Sequence, residues 1–192
     1  MKVIGFTGNY DASGDMPMGY LMADSSVLYT GRPFFLHDFA EGFLAAPSIV
    51  VRMGRLGKCV ASKFAHRYWD AFTAGFNVQA WHSRDAGLEC LDRAFDGAAM
   101  VGNWVPVAEL DDPMHAVVEV KVDDTVVSRH CLADMSVLPL HEMVAAVSTR
   151  CSIKMGDMLF TGDCAPRLTL SPGMHLTATL GDEQLLDVRV KM

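Results

Sequence analysis

Three side chains of this chain stand out for the chemistry they could do, and each points to a different reaction. His82 follows Trp81, and an imidazole beside an aromatic face can bind or polarise a carbonyl group. Asp163, with Asn77 and Ser48, supplies oxygen donors of the kind a weakly held divalent cation takes, provided the carboxylate points inward. Cys164 adjoins Asp163 and would form a thiol–imidazole nucleophile with His82 if folding brought the two within hydrogen-bond reach. Against these stand blander readings: a loop histidine that fills space and a thiol that is inert.

Other candidates carry less. His66 reads as a helix histidine partnered by Asp70, His37-Asp38 as a loop pair, and Met16, Met18 and Met22 as adaptable packing. Five cysteines without a Cys-x-x-Cys pair exclude zinc-finger and redox-motif readings. The motifs Gly-x-Ser-x-Gly, Gly-x-x-x-x-Gly-Lys and Gly-x-Gly-x-x-Gly are all missing, which removes serine-hydrolase, phosphate-loop and dinucleotide-binding readings.

The elements that must position these residues follow from composition and pattern. The 192 residues are 51% apolar and 20% charged, as in an ordered domain with one substantial core. No repeat or low-complexity tract divides them, so a single domain over 1–192 is expected. A net charge of −7 and no Lys/Arg run longer than two argue against nucleic acid and anionic membrane. No segment approaches the roughly 18–20 apolar residues of a spanning helix. The apolar run at 3–6 is too short for a secretion signal, and the expected compartment is the cytosol.

Strands are expected at 2–6, 27–29, 49–53 and 158–161, with hairpins over 116–130 about Asp123-Asp124 and over 176–190 about Gly181-Asp182. Phe64, Tyr68 and Phe72 at four-residue spacing predict a helix over 61–74, from Ser62 to a stop at Gly75. Further helices are expected over 84–94 and 139–148. Consecutive hairpins with about three peripheral helices predict an α+β fold dominated by antiparallel and mixed sheet.

Several segments, in order and spacing, resemble the fumarylacetoacetate hydrolase family in its short bacterial form. They are Gly8-Asn9-Tyr10, Arg32-Pro33-Phe34-Phe35-Leu36, Arg55-Leu56-Gly57-Lys58, Lys63-Phe64-Ala65-His66-Arg67-Tyr68, Ala94-Phe95-Asp96-Gly97 and Ile153 through Gly162. The resemblance implies a β-roll and action on 2-oxo or β-diketo acids, by C–C hydrolysis, isomerisation or decarboxylation. It also implies a Mg²⁺ or Mn²⁺ ion held by a Glu-x-Glu pair and an aspartate. On this chain those ligand positions fall on Ala46, Ser48 and Asn77, and Arg93 stands near the family's catalytic lysine. A lysine-proline at the site mouth reads Met22-Ala23, and Thr-Gly-Thr-Pro reads Thr161-Gly162-Asp163-Cys164.

A methyl, a hydroxyl and an amide replace three carboxylates, so no cofactor is expected. The resemblance then implies a degenerate member that binds a small carbonyl or carboxylic acid and pairs as a homodimer. The competing expectation is an active hydrolase, isomerase or decarboxylase with a rebuilt site that uses His82, Arg93 and Asp163. A third is an inactive subunit paired with an active relative.

Overall fold

Two long neighbouring strands, rich in Val, Ile, Ala and Phe, carry the architecture of the computed structural model, which describes residues 1–10, 16–83 and 87–192. The sequence also predicts a polar loop carrying Asp11, Gly14, Asp15 and Pro17, of which 11–15 lie outside the described residues, as do 84–86 of the expected second helix. The strands are β1 (Val3–Phe6), β2 (Gly19–Met22), β3 (Val27–Tyr29), β4 (Phe34–Phe35), β5 (Ala40–Met53), β6 (Trp69–Ser83), β7 (Ala99–Val101) and β8 (Val105–Pro106). They continue as β9 (Val118–Val122), β10 (Thr125–His130), β11 (Met158–Phe160), β12 (Leu168–Thr169), β13 (His175–Leu180) and β14 (Glu183–Lys191). A single α-helix stands among the described residues, α1 (Leu140–Arg150).

One sheet runs β2-β1-β11-β5-β6-β7-β3, with β12 added on β5 and β8 on β6. The other runs β10-β9-β13-β14-β4. Most pairs are antiparallel; β1/β11, β3/β7 and β4/β14 are parallel. The fold is therefore mixed and sheet-dominated, as the hairpins predict. In the first hairpin Asp123 and Asp124 take φ of 48° and 67°, the left-handed pair that a two-residue turn between twisted strands requires.

The helix expected over 61–74 is not formed. Ser62–Arg67 is a short 3-10 segment, and β6 begins at Trp69. A four-residue spacing satisfies both the helical period and twice the strand period. Burial decides between them: 71–78 is buried without interruption, as in a central strand covered on both faces. Gly75 is no helix stop. A Cβ there would lie 2.5 Å from the Met100 carbonyl oxygen, so glycine permits the close approach of β7. Asp70 pairs with Arg52 at 2.9 Å and not with His66. The second expected helix shrinks to a 3-10 turn at Glu89–Leu91. The third is α1, which buries Leu140, Met143, Val144, Val147 and Ser148, the apolar stripe of an amphipathic helix.

β5 and β6 pair from Ala40↔Ser83 to Met53↔Trp69, and their two faces do different work. Phe43, Ala45, Ile49 and Val51, with Phe72, Ala74, Phe76 and Val78, enter the main core. By strand alternation Ala46, Ser48 and Val50, and Thr73, Gly75, Asn77 and Gln79, turn to the other face. There Val50 joins a second core with Val3, Met22, Met158 and Phe160, against which Tyr20 packs.

Candidate functional site

On that second face the register sets Ala46 directly across from Asn77, and Ser48 across from Gly75. The three positions at which the resemblance puts metal ligands are therefore neighbours in space. Asn77 Nδ2 donates to Asp163 Oδ1 at 2.8 Å, and Arg167 Nη2 donates to Asp163 Oδ2 at 2.8 Å. The loop from β11 to β12 that carries Asp163 and Arg167 is pinned by Asp163 N donating to Gly8 O and Cys164 N donating to Pro47 O.

Arg93 reaches the same place from the segment before β7. Its Nη2 donates to Gln79 Oε1 at 2.6 Å, and its guanidinium lies over the Tyr20 ring, 4.4 Å from the centroid, a cation–π arrangement. Tyr20 can lie flat here because β2 pairs Tyr20 with Gly5; a Cβ on Gly5 would come within 2.3 Å of the ring.

Electrostatics follow from this crowding. Burial pushes the Tyr20 hydroxyl up to about 12, with Arg93 opposing, so it remains an O–H donor at neutral pH. Burial first, and then the like charge of Arg167, pull the Arg93 guanidinium below its ordinary value. The two arginines and Asp163 leave the site with a net charge of about +1. Four buried polar atoms at this site have no hydrogen-bond partner among the described residues: Tyr20 Oη, Asn77 Oδ1, Arg93 Nη1 and Arg167 Nη1. Elsewhere among the described residues Ser26 Oγ and Thr73 Oγ1 share that condition. A cleft of about 450 Å³ borders this cluster at Asp163 and Arg167, its lining completed by Gly8, Tyr10, Cys164, Ala165 and Pro166.

Of the residues singled out from sequence, Asn77, Arg93 and Asp163 thus meet in one cluster. His82 lies apart. It is exposed at a φ of 49°, its ring edge-on to Trp81 at 4.3 Å. Tyr20, Gln79 and Arg167 join this cluster without a motif that marks them in the sequence. Arg167 carried the one readable signal, its i+4 spacing from Asp163.

Cys164 is buried beneath this site beside Tyr10, whose hydroxyl shares a 2.8 Å hydrogen bond with Thr161 Oγ1. Burial pushes the Cys164 thiol up to about 12, the opposite of what a nucleophile needs. The proposed thiol–imidazole pair is therefore not assembled. In the native protein a thiol-specific reagent at mildly alkaline pH is expected to label exposed Cys59 and Cys90 and to leave Cys164 unmodified until unfolding. Peptide mapping that finds Cys164 among the first sites labelled would contradict this.

The family described as fumarylacetoacetate (FAA) hydrolase, C-terminal, matches residues 7–191. Among solved structures, the chain resembles fumarylpyruvate hydrolase from Pseudomonas aeruginosa, solved in complex with Mn²⁺ and pyruvate, with a TM-score of 0.85 at 18% identity. That match covers 100% of this chain and 90% of the other. It also resembles 5-carboxymethyl-2-hydroxymuconate delta-isomerase from Mycobacterium smegmatis (TM-score 0.84, 21% identity, 99% and 78% covered). A third is 2-hydroxyhepta-2,4-diene-1,7-dioate isomerase from Mycobacterium marinum (TM-score 0.83, 21% identity, 99% and 74% covered). No curated protein sequence matches. At these identities the likenesses establish the fold, and the match over 7–191 establishes the lineage: the chain belongs to the fumarylacetoacetate hydrolase family.

Proposed function

We propose that this protein binds a small monoanionic carboxylic acid through Arg93 and Arg167, and that the divalent-metal chemistry of its family has been lost. The observation that carries the reading is the gathering of unpartnered donors at one place. Arg93 Nη1, Arg167 Nη1 and the Tyr20 hydroxyl are buried and unmatched among the described residues. A buried donor left unpaired costs about 1–3 kcal/mol, more when charged. A carboxylate entering from the cleft would satisfy such donors, offset the repulsion between the two guanidiniums and neutralise the site's excess charge.

The side chains at the family's metal positions do not suit a divalent cation. Ala46 offers a methyl group. Ser48 Oγ donates to the Ile49 carbonyl oxygen at 3.2 Å. Asn77 leaves one neutral oxygen, and Asp163 is held by Arg167. Hard cations need several oxygen ligands, preferably anionic, and two guanidiniums beside the site would repel a double positive charge. Among the described residues no group of three or more His, Cys, Asp and Glu side chains is placed to hold a metal. His82 takes no part in this reading, while Asp163 serves to orient Asn77 and Arg167.

Calorimetric titration of EDTA-treated protein with propionate, pyruvate and lactate tests the proposal. At least one is expected to bind with a Kd tighter than about 1 mM, unchanged by added Mg²⁺ or Mn²⁺. Binding that appears only after the ion is added, or micromolar affinity for the ion alone, would defeat it.

A further inference from the structure

Building on that carboxylate-binding reading, we infer that the site selects a 2-hydroxy acid over the matching 2-oxo acid, with Asn77 Oδ1 accepting the ligand's hydroxyl hydrogen. Asn77 is 1% exposed, and its amide orientation is fixed by its neighbour. Asp163 is ion-paired with Arg167, and a carboxylate only accepts hydrogen bonds, so Nδ2 must face it. A second, longer contact from Nδ2 reaches Ala46 O at 3.4 Å. Oδ1 is therefore the free end, buried and without a donor among the described residues.

The unmatched set is thus three donors and one acceptor. A carboxylate brings lone pairs for the donors but no hydrogen for Asn77. On the facing strands Ser48 Oγ and Thr161 Oγ1 are already committed, both donating to Ile49 O, and the unpartnered Thr73 Oγ1 stands four residues away along β6. A hydroxyl on the carbon next to the carboxyl group would supply the missing hydrogen within the reach of one small molecule. A ketone oxygen at that carbon would set its lone pairs against those of Oδ1. A buried acceptor left facing another acceptor loses the hydrogen bond and meets repulsion, which is how sites built for a hydroxyl reject its analogues. An amino group there would also donate, but as an ammonium it would add a third positive charge beside Arg93 and Arg167.

The test is a binding series on the wild-type protein with propionate, pyruvate, both enantiomers of lactate, and alanine, repeated on Arg93→Met and Asn77→Leu. One lactate enantiomer is expected to bind at least about tenfold tighter than pyruvate or propionate, with alanine weakest. Asn77→Leu should bring lactate down to the level of propionate. Should pyruvate equal or exceed both lactates, and all binding vanish in Arg93→Met, hydroxyl selection is wrong while carboxylate binding stands. If none of the five binds the wild type, both fail together. A lactate preference that survives Asn77→Leu would remove the role given to Asn77. If that variant does not fold, the wild-type ranking still decides.

Discussion

Arg93→Met is expected to weaken carboxylate binding by about 10- to 100-fold while leaving the fold intact. A hydrogen bond to a charged group contributes about 1.5–3 kcal/mol, and each 1.4 kcal/mol is tenfold in affinity. Methionine keeps the length and apolar bulk that covers the Tyr20 ring but removes both the charge and the free Nη1. Stability should change little. The lost 2.6 Å bond to Gln79 is offset because a guanidinium desolvated beside Arg167 is no longer held there. Arg167 makes a poorer probe, since its removal strands the half-buried Asp163 without its ion-pair partner. Arg93→Lys should fall between wild type and methionine, because an ammonium keeps the charge but cannot reach Gln79 and a ligand as a planar fork. Titration of the three proteins with the same acid, alongside circular dichroism, checks this. Equal affinities for wild type and Arg93→Met would remove Arg93 from the site and with it the main support for the proposed function.

How much of this was legible in the sequence depends on how local the signal was. The hairpins about Asp123-Asp124 and Gly181-Asp182 were readable because turn chemistry lies in the turn residues themselves. Helix α1 was readable because its buried positions repeat every three or four residues over eleven residues. Strand β6 was not, because aromatic spacing of four fits two periods and only tertiary burial separates them. Part of the site was visible through the family resemblance, which brings Asn77 to the place where Asp163 meets it. The remainder was hidden because Tyr20 arrives through the pairing of β2 with β1, and Arg93 through a segment with no regular structure beyond a 3-10 turn. What links Arg93 to Asn77 is a shared strand face: Gln79 stands two residues beyond Asn77 on β6, a fact available only once 69–83 is known to be a strand. His82 was attractive in sequence because of Trp81, but that neighbour holds its ring at the exposed end of the strand.

The loop bearing Asp163 and Arg167 owes its place to Asn9, and Asn9→Ala is expected to cost about 3–5 kcal/mol of stability. Asn9 is fully buried at a φ of 80°, a left-handed conformation that asparagine tolerates better than alanine. Its Nδ2 donates to Leu138 O at 3.1 Å and Thr161 O at 2.8 Å, and its Oδ1 accepts from Leu138 N at 2.7 Å. Alanine leaves three backbone groups without these partners, at about 1–3 kcal/mol for each that stays dry, and adds backbone strain. Water entering the vacated space would relieve part of that sum. For a chain of this size each kcal/mol lowers Tm by about 2–4 °C, so a drop of about 10 °C is expected by calorimetry. Asn9 bridges to Asp163, and Gly162 beside it packs so closely that a Cβ would sit 2.1 Å from the Gly8 carbonyl oxygen. The loop cannot shift to absorb the change, so carboxylate affinity should fall along with Tm. Asn9→Gly separates the two contributions, since glycine loses the same hydrogen bonds but adopts positive φ without strain. It should melt above Asn9→Ala and below wild type. A Tm for Asn9→Ala within about 2 °C of wild type would show that these hydrogen bonds do not hold the site together.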